Sequence, residues 1–122
     1  MTHFVAVIND ITEAKHYERR LQHLAHHDPL TGLANRTLLH DRLETAIAFA
    51  ERDNSIGALA FLDLDNFKYI NDSFGHDTGD LVLKEIAARL NQNVRQDDTV
   101  ARVGGDEFVL VINDQPSDDH IF

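Results

Sequence analysis

Apolar residues along this chain change spacing several times, and each change marks an element. Phe4-Val5-Ala6-Val7-Ile8 is a short β-prone run with too little chain before it to build a sheet. Asp10, with Glu13 three residues on, then reads as a helix start. Tyr17, Leu21 and Leu24 continue as a narrow apolar stripe among charges, which suits a two-helix seam better than a globular core. Asp28-Pro29 ends it, because the residue before proline avoids the helical region. Thr31-Gly32-Leu33-Ala34-Asn35 is a turn, and Asn35 can cap a second helix carrying Leu38, Leu39, Leu43, Ala46, Ile47 and Phe49.

Asp53-Asn54-Ser55 breaks that helix, and the spacing tightens. Ile56 to Leu64 predicts a buried strand ending in Asp63-Leu64-Asp65. A short helical turn around Asn66 to Ile70 follows. Gly75 and Gly79 bracket a predicted loop, with Asp77 or Thr78 available as cap for a third helix over Leu81 to Val94. Thr99–Val103 and Phe108–Ile112 predict the two arms of a hairpin, and the chain turns polar from Asp114. Helix, strand, helix, strand, strand indicates an α/β (α+β) sandwich with helices against one sheet, and both ends read as cut.

Composition removes several classes of function. The 122 residues carry a formal net charge of -10, and such a surface repels nucleic acid and anionic lipid. With no cysteine, disulfides, thiolate zinc sites and cysteine nucleophiles are excluded. No apolar run reaches membrane-spanning length, and the first residues lack the basic and apolar regions of a signal peptide.

The chemistry concentrates in Arg102-Val103-Gly104-Gly105-Asp106-Glu107-Phe108. Gly-Gly between β-prone arms predicts a tight hairpin, since only glycine takes positive φ cheaply, and it puts two acids at the tip. They are either solvated or cation-binding. Asp63 and Asp65, at the carboxyl end of a strand, either cap the following turn or hold a cation. A calcium hand is excluded, because Lys68 stands where its glycine belongs and Phe74 where its glutamate belongs. Magnesium, which takes one or two carboxylates plus substrate phosphates, remains open. No P-loop is present, so any nucleotide must be held by metal, scattered cations and the turn at Asn66-Phe67-Lys68. Asn71 and Asp80 have the donors and acceptors to read a guanine edge, or serve as loop and cap residues. Arg95 and Asp98 form a surface ion pair or grip a ligand. His23 and His27, one helical turn apart beside His26, have structural or solvated roles, since the zinc-protease glutamate is missing between them.

Together these blocks resemble the GGDEF family of diguanylate cyclases. The resemblance runs from Asp28 to about Ile112, through Asp28-Pro29-Leu30-Thr31-Gly32-Leu33-Ala34-Asn35-Arg36, the stretch from Asp63 to Asp72, Phe74 to Asp80, and Arg102 to Phe108. It implies a palm-like fold, a central and mainly antiparallel sheet flanked by helices, and condensation of two GTP into cyclic di-GMP with Mg2+ or Mn2+. Asp63, Asp106 and the Leu64 carbonyl then correspond to the metal ligands, and Asp106 and Glu107 to the catalytic acids. The Asn66 and Phe67 amides, Lys68 and Arg102 correspond to phosphate contacts, Asn71 and Asp80 to guanine readers. Gly104 and Gly105 let GTP approach the backbone. Arg95 and Asp98 match the product-inhibition RxxD. The resemblance also implies a homodimer in the bacterial cytoplasm, since each GTP must attack the other. Residues 1–12 resemble the end of a PAS sensor domain and 13–27 a signalling helix, leaving 28–122 as a GGDEF domain. Family domains continue past the hairpin, so this piece alone is expected to be impaired.

Overall fold

The structure, a computed structural model, describes the backbone of residues 2–115 and the side chains of 12–113. Seven elements follow in order: α1 Thr2–His26, α2 Arg36–Asp53, β1 Ile56–Asp63, α3 Phe67–Phe74, α4 His76–Gln92, β2 Thr99–Arg102 and β3 Glu107–Gln115. The sheet has the order β1-β3-β2, antiparallel throughout, with Leu62 opposite Phe108 and Val100 opposite Leu110. This is the α+β architecture the pattern predicts.

Alternation along β3 gives the sheet two apolar faces. Phe108 and Val100 lie on one, clustered with Leu83 and Ala87 of α4 and with Leu33 from the turn before α2. Val109, Val111 and Ala101 lie on the other and are also buried. There Leu43, Ala46 and Ile47 of α2 line a groove with Leu59 and Val111. Asn35 caps α2 as expected, its side chain accepting from the Leu38 amide at 3.0 Å.

The backbone between α1 and α2 closes the outer side of β2. The Ala34 amide donates to the Val100 carbonyl at 3.2 Å, and the Arg102 amide to the Ala34 carbonyl at 2.9 Å. That ties the end of α1 to the sheet, since the Asn35 amide also donates to the His26 carbonyl.

Four expectations need correction. Phe4–Ile8 is helical, part of α1, and Asp10 lies inside that helix rather than at its start. No strand among the described residues lies beside that run, so its backbone groups pair within a helix instead. β1 is not buried: it is the sheet's edge strand, and Ile56, Leu59 and Phe61 are exposed. The loop predicted from Gly75 to Gly79 shrinks to one residue. Gly75, at φ 91 and ψ 161, joins α3 to α4, and Gly79 lies buried inside α4. Finally, neither Gly104 nor Gly105 takes a positive φ, a conformation that only Gly32 and Gly75 use among the described glycines. Four residues, Val103 to Asp106, separate β2 from β3, and a loop of that length reverses the chain without left-handed residues.

Candidate active site

Strand register builds the acidic centre. Asp63, the last residue of β1, pairs with Glu107, the first of β3, so both lie at one end of the sheet. The Leu64 amide donates to the Asp106 carbonyl at 3.2 Å, which extends the pairing one step into the hairpin loop. The Val103 amide donates to the Glu107 carbonyl at 3.0 Å and closes the loop.

The acids crowd one another. The Asp106 carboxylate pushes the Asp63 carboxyl above its ordinary range, with smaller contributions from desolvation, a hydrogen bond to Asp106, and the charges of Glu107 and Asp65. No cluster of three or more His, Asp or Glu side chains converges on one point among the described residues. Two carboxylates and a backbone carbonyl are still a donor set that suits Mg2+, which completes its shell with water and phosphate oxygens.

Gly104 and Gly105 differ. A Cβ on Gly104 would stand 2.8 Å from Glu107 Oε2 and 3.3 Å from Glu107 Cβ, so the bare backbone leaves room for Glu107 to fold over it. A Cβ on Gly105 would meet nothing within 4 Å. Nothing inside the described chain requires glycine there.

Asn66 precedes α3 in a left-handed conformation, φ 61, and makes no side-chain cap. The first amides of α3, those of Phe67 and Lys68, therefore face an uncapped helix end. Lys68 is exposed, with no ion-pair partner among the described residues. Asn71 on α3 lies across the tight joint at Gly75 from Gly79 of α4, the residue before Asp80.

Arg102, matched by resemblance to a phosphate contact, is engaged within the protein. Its Nη1 donates to both oxygens of Asp28 at 3.2 and 3.3 Å, and its Nε and Nη2 converge on the Gly105 carbonyl at 3.2 and 2.9 Å. Asp28 also accepts from the Thr31 amide and hydroxyl at 2.9 and 2.8 Å. Arg36 donates to the Val103 carbonyl at 2.9 Å. Sequence reading passed over Asp28 and Arg36 as site residues, although their place in the Asp28–Arg36 block was the available signal. Both brace the hairpin from the α1–α2 segment.

Arg95 and Asp98 stand at the opposite end of β2, about 13 Å of strand from the hairpin. They share a turn: the Arg95 amide donates to Asp98 Oδ2 at 2.9 Å and the Asp98 amide to the Arg95 carbonyl at 3.1 Å. The other Asp98 oxygen accepts from the Asn113 amide. The histidines have structural work. His23 and His27 stack with ring centroids 4.2 Å apart, and His26 and His27 bond to backbone carbonyls.

Comparison with known proteins agrees with this layout. Residues 25–121 match the family model described as diguanylate cyclase, GGDEF domain. The chain is 58% identical over 94 residues to the bifunctional diguanylate cyclase/cyclic di-GMP phosphodiesterase MucR of Pseudomonas aeruginosa, spanning 77% of this chain and 14% of MucR. It is 42% identical over 118 residues to diguanylate cyclase DgcM of Escherichia coli, spanning 93% of this chain and 28% of DgcM. The crystal structure of the coiled coil and GGDEF domain of Caulobacter crescentus DgcB, in complex with c-di-GMP, superposes with a TM-score of 0.84 at 30% identity. That alignment covers 95% of this chain and 61% of the DgcB chain. The chain thus spans only a small part of its curated relatives, and by the family match, the sheet order and the acidic hairpin it belongs to the GGDEF domain family of diguanylate cyclases.

Proposed function

We propose that this chain supplies the nucleotide- and metal-binding part of a diguanylate cyclase that condenses two GTP into cyclic di-GMP. The observation that carries this reading is the crowding of Asp63 against Asp106 beside Glu107, an arrangement that favours a divalent cation. Asp63, Asp106 and the Leu64 carbonyl would hold Mg2+ or Mn2+. Bound there, the ion would polarise the α-phosphate and ease ionisation of the attacking 3′-hydroxyl.

The remaining roles belong to the chain's own groups. Amides at Asn66 and Phe67 with Lys68 bind phosphate oxygens, and their charge offsets the acidic surface. Asn71 and Asp80 read the guanine edge. Gly105 presents bare backbone to GTP, while Gly104 seats Glu107 as the second acid. Arg102 positions the hairpin from behind. Arg95 and Asp98 form the inhibitory product site.

Two GTP sites must face each other, so the active species is a homodimer. Every described side chain of α1 from Thr12 to His26 is exposed, including Tyr17, Leu21 and Leu24. That stripe supports 13–27 as the pairing signalling helix. No helix among the described residues is long and apolar enough to cross a membrane, and a GTP-consuming site implies the cytoplasm.

The test is to extend the chain to the length of the solved family domains, incubate it with GTP and Mg2+, and separate products by chromatography. Cyclic di-GMP that disappears in Asp106→Asn supports the cyclase. No product at high protein concentration refutes it, and cyclic di-GMP binding lost in Arg95→Ala would then assign a non-catalytic sensor.

A further inference from the structure

We infer that Gly79 is a positioning residue for base recognition: its missing side chain lets Asn71 stand against α4 at the residue before Asp80. The inference rests on the proposed role of Asn71 as a guanine contact.

Glycine is a poor choice inside a helix, second only to proline, so its presence in the first turns of α4 needs a cause. Backbone conformation is not the cause, because Gly79 does not take a positive φ. Space is. A Cβ at this position would stand 1.8 Å from Asn71 Oδ1, 2.9 Å from Asn71 Cγ and 3.3 Å from Phe67 Cζ. The first distance is shorter than any non-bonded contact, so the Asn71 amide and an alanine at 79 cannot both stay where they are.

Asn71 cannot yield by moving its backbone. Its carbonyl accepts from the Gly75 amide at 2.9 Å, the bond that closes α3 and sets the joint. Only its side chain can turn away, and turning takes the amide off the surface of α4 at Gly79. Gly79 is buried, and the Phe67 ring, packed against the core, leaves a Cβ there little room on that side.

The consequence is unusual for a core substitution. Gly79→Ala should keep or raise helix stability, since alanine is the better helix former, while it weakens recognition of the base. The experiment compares Gly79→Ala, Asn71→Ala and the double variant in the protein extended to full domain length. Thermal unfolding, KM and kcat for GTP, and competition by ATP are measured. The expected result is about a tenfold rise in KM for either single variant, the loss of one base hydrogen bond, with kcat little changed and weaker discrimination against ATP. The double variant should be no worse than Asn71→Ala.

If Asn71→Ala leaves KM unchanged, the base-contact reading itself fails. If Asn71→Ala raises KM and Gly79→Ala does not, or if the two effects multiply, the positioning role of Gly79 is overturned alone. Should Gly79→Ala lower the unfolding temperature, Asn71→Ala must restore it; failure to restore assigns Gly79 a purely structural role.

Discussion

Replacing Arg102 with methionine tests how the hairpin is held. The side chains of Arg102 and Asp28 are only 17% and 16% exposed, and Arg102 makes two contacts to the carboxylate and two to the Gly105 carbonyl. Breaking a fully buried pair costs about 3–5 kcal/mol, whereas an exposed pair contributes about 0–1 kcal/mol. Asp28 keeps its two bonds from Thr31 in the variant, so a loss of about 2 kcal/mol follows. For a domain of this size that lowers Tm by about 8 °C. Arg89→Met supplies the contrast: the Arg89–Glu85 pair is 75% and 64% exposed, and its loss should change stability by about 0.5 kcal/mol or less. The Arg102 penalty also depends on pH. Burial alone would raise the Asp28 carboxyl, but the Thr31 hydroxyl and amide, and then Arg102, outweigh it and hold the carboxyl below its usual range. A depressed folded value means stability that is present above the unfolded carboxylate value and lost as pH falls through the folded one. The gap between Arg102→Met and the parent, read by thermal unfolding, should therefore narrow at acid pH. In a double-mutant cycle Asp28→Asn and Arg102→Met should couple by about 1 kcal/mol or more. A Tm change within error at pH 7, or additive losses in the cycle, would refute the reasoning.

Three further outcomes follow from the site. The Asp63 carboxyl is raised in the folded protein, so its contribution favours folding below the unfolded carboxylate value and is lost as pH rises through the folded value; Asp63→Asn should raise the metal-free Tm at neutral pH and abolish the stabilisation that Mg2+ and GTP give. Gly104→Ala should displace Glu107 and lower turnover, whereas Gly105→Ala should leave unfolding unchanged, so that any loss of GTP affinity there reports contact with the ligand. Phe108→Ala empties the most buried large side chain of the core and should lose about 3–5 kcal/mol in denaturant unfolding.

Local signals gave much of this away. The turn-strand-hairpin pattern located β1 and β3, and the acids at their ends needed only the antiparallel register to meet. Asn35 as a cap was equally readable, because capping involves neighbours a few residues apart. What sequence could not supply were partners. Arg102 carries a charge, but its counter-ion is 74 residues away. Gly79 reads as a loop glycine until Asn71 is packed against it. The apolar run of β1 reads as buried because pattern reports composition, while exposure depends on the strand's place in the sheet. Phe4–Ile8 is β-prone by side chain, yet strand propensity has effect only where another strand is at hand.

The two edges of the sheet are unequal. Beside β2, the Ala34 backbone occupies the bonds that a newcomer would need. Beside β1, the edge is open among the described residues, and Phe61, 76% exposed, stands on it. Adding a strand at an edge propagates into fibres only when each molecule offers two free edges. Among the described residues only β1 offers such bonds, so pairing through the sheet edge is confined to β1 against β1.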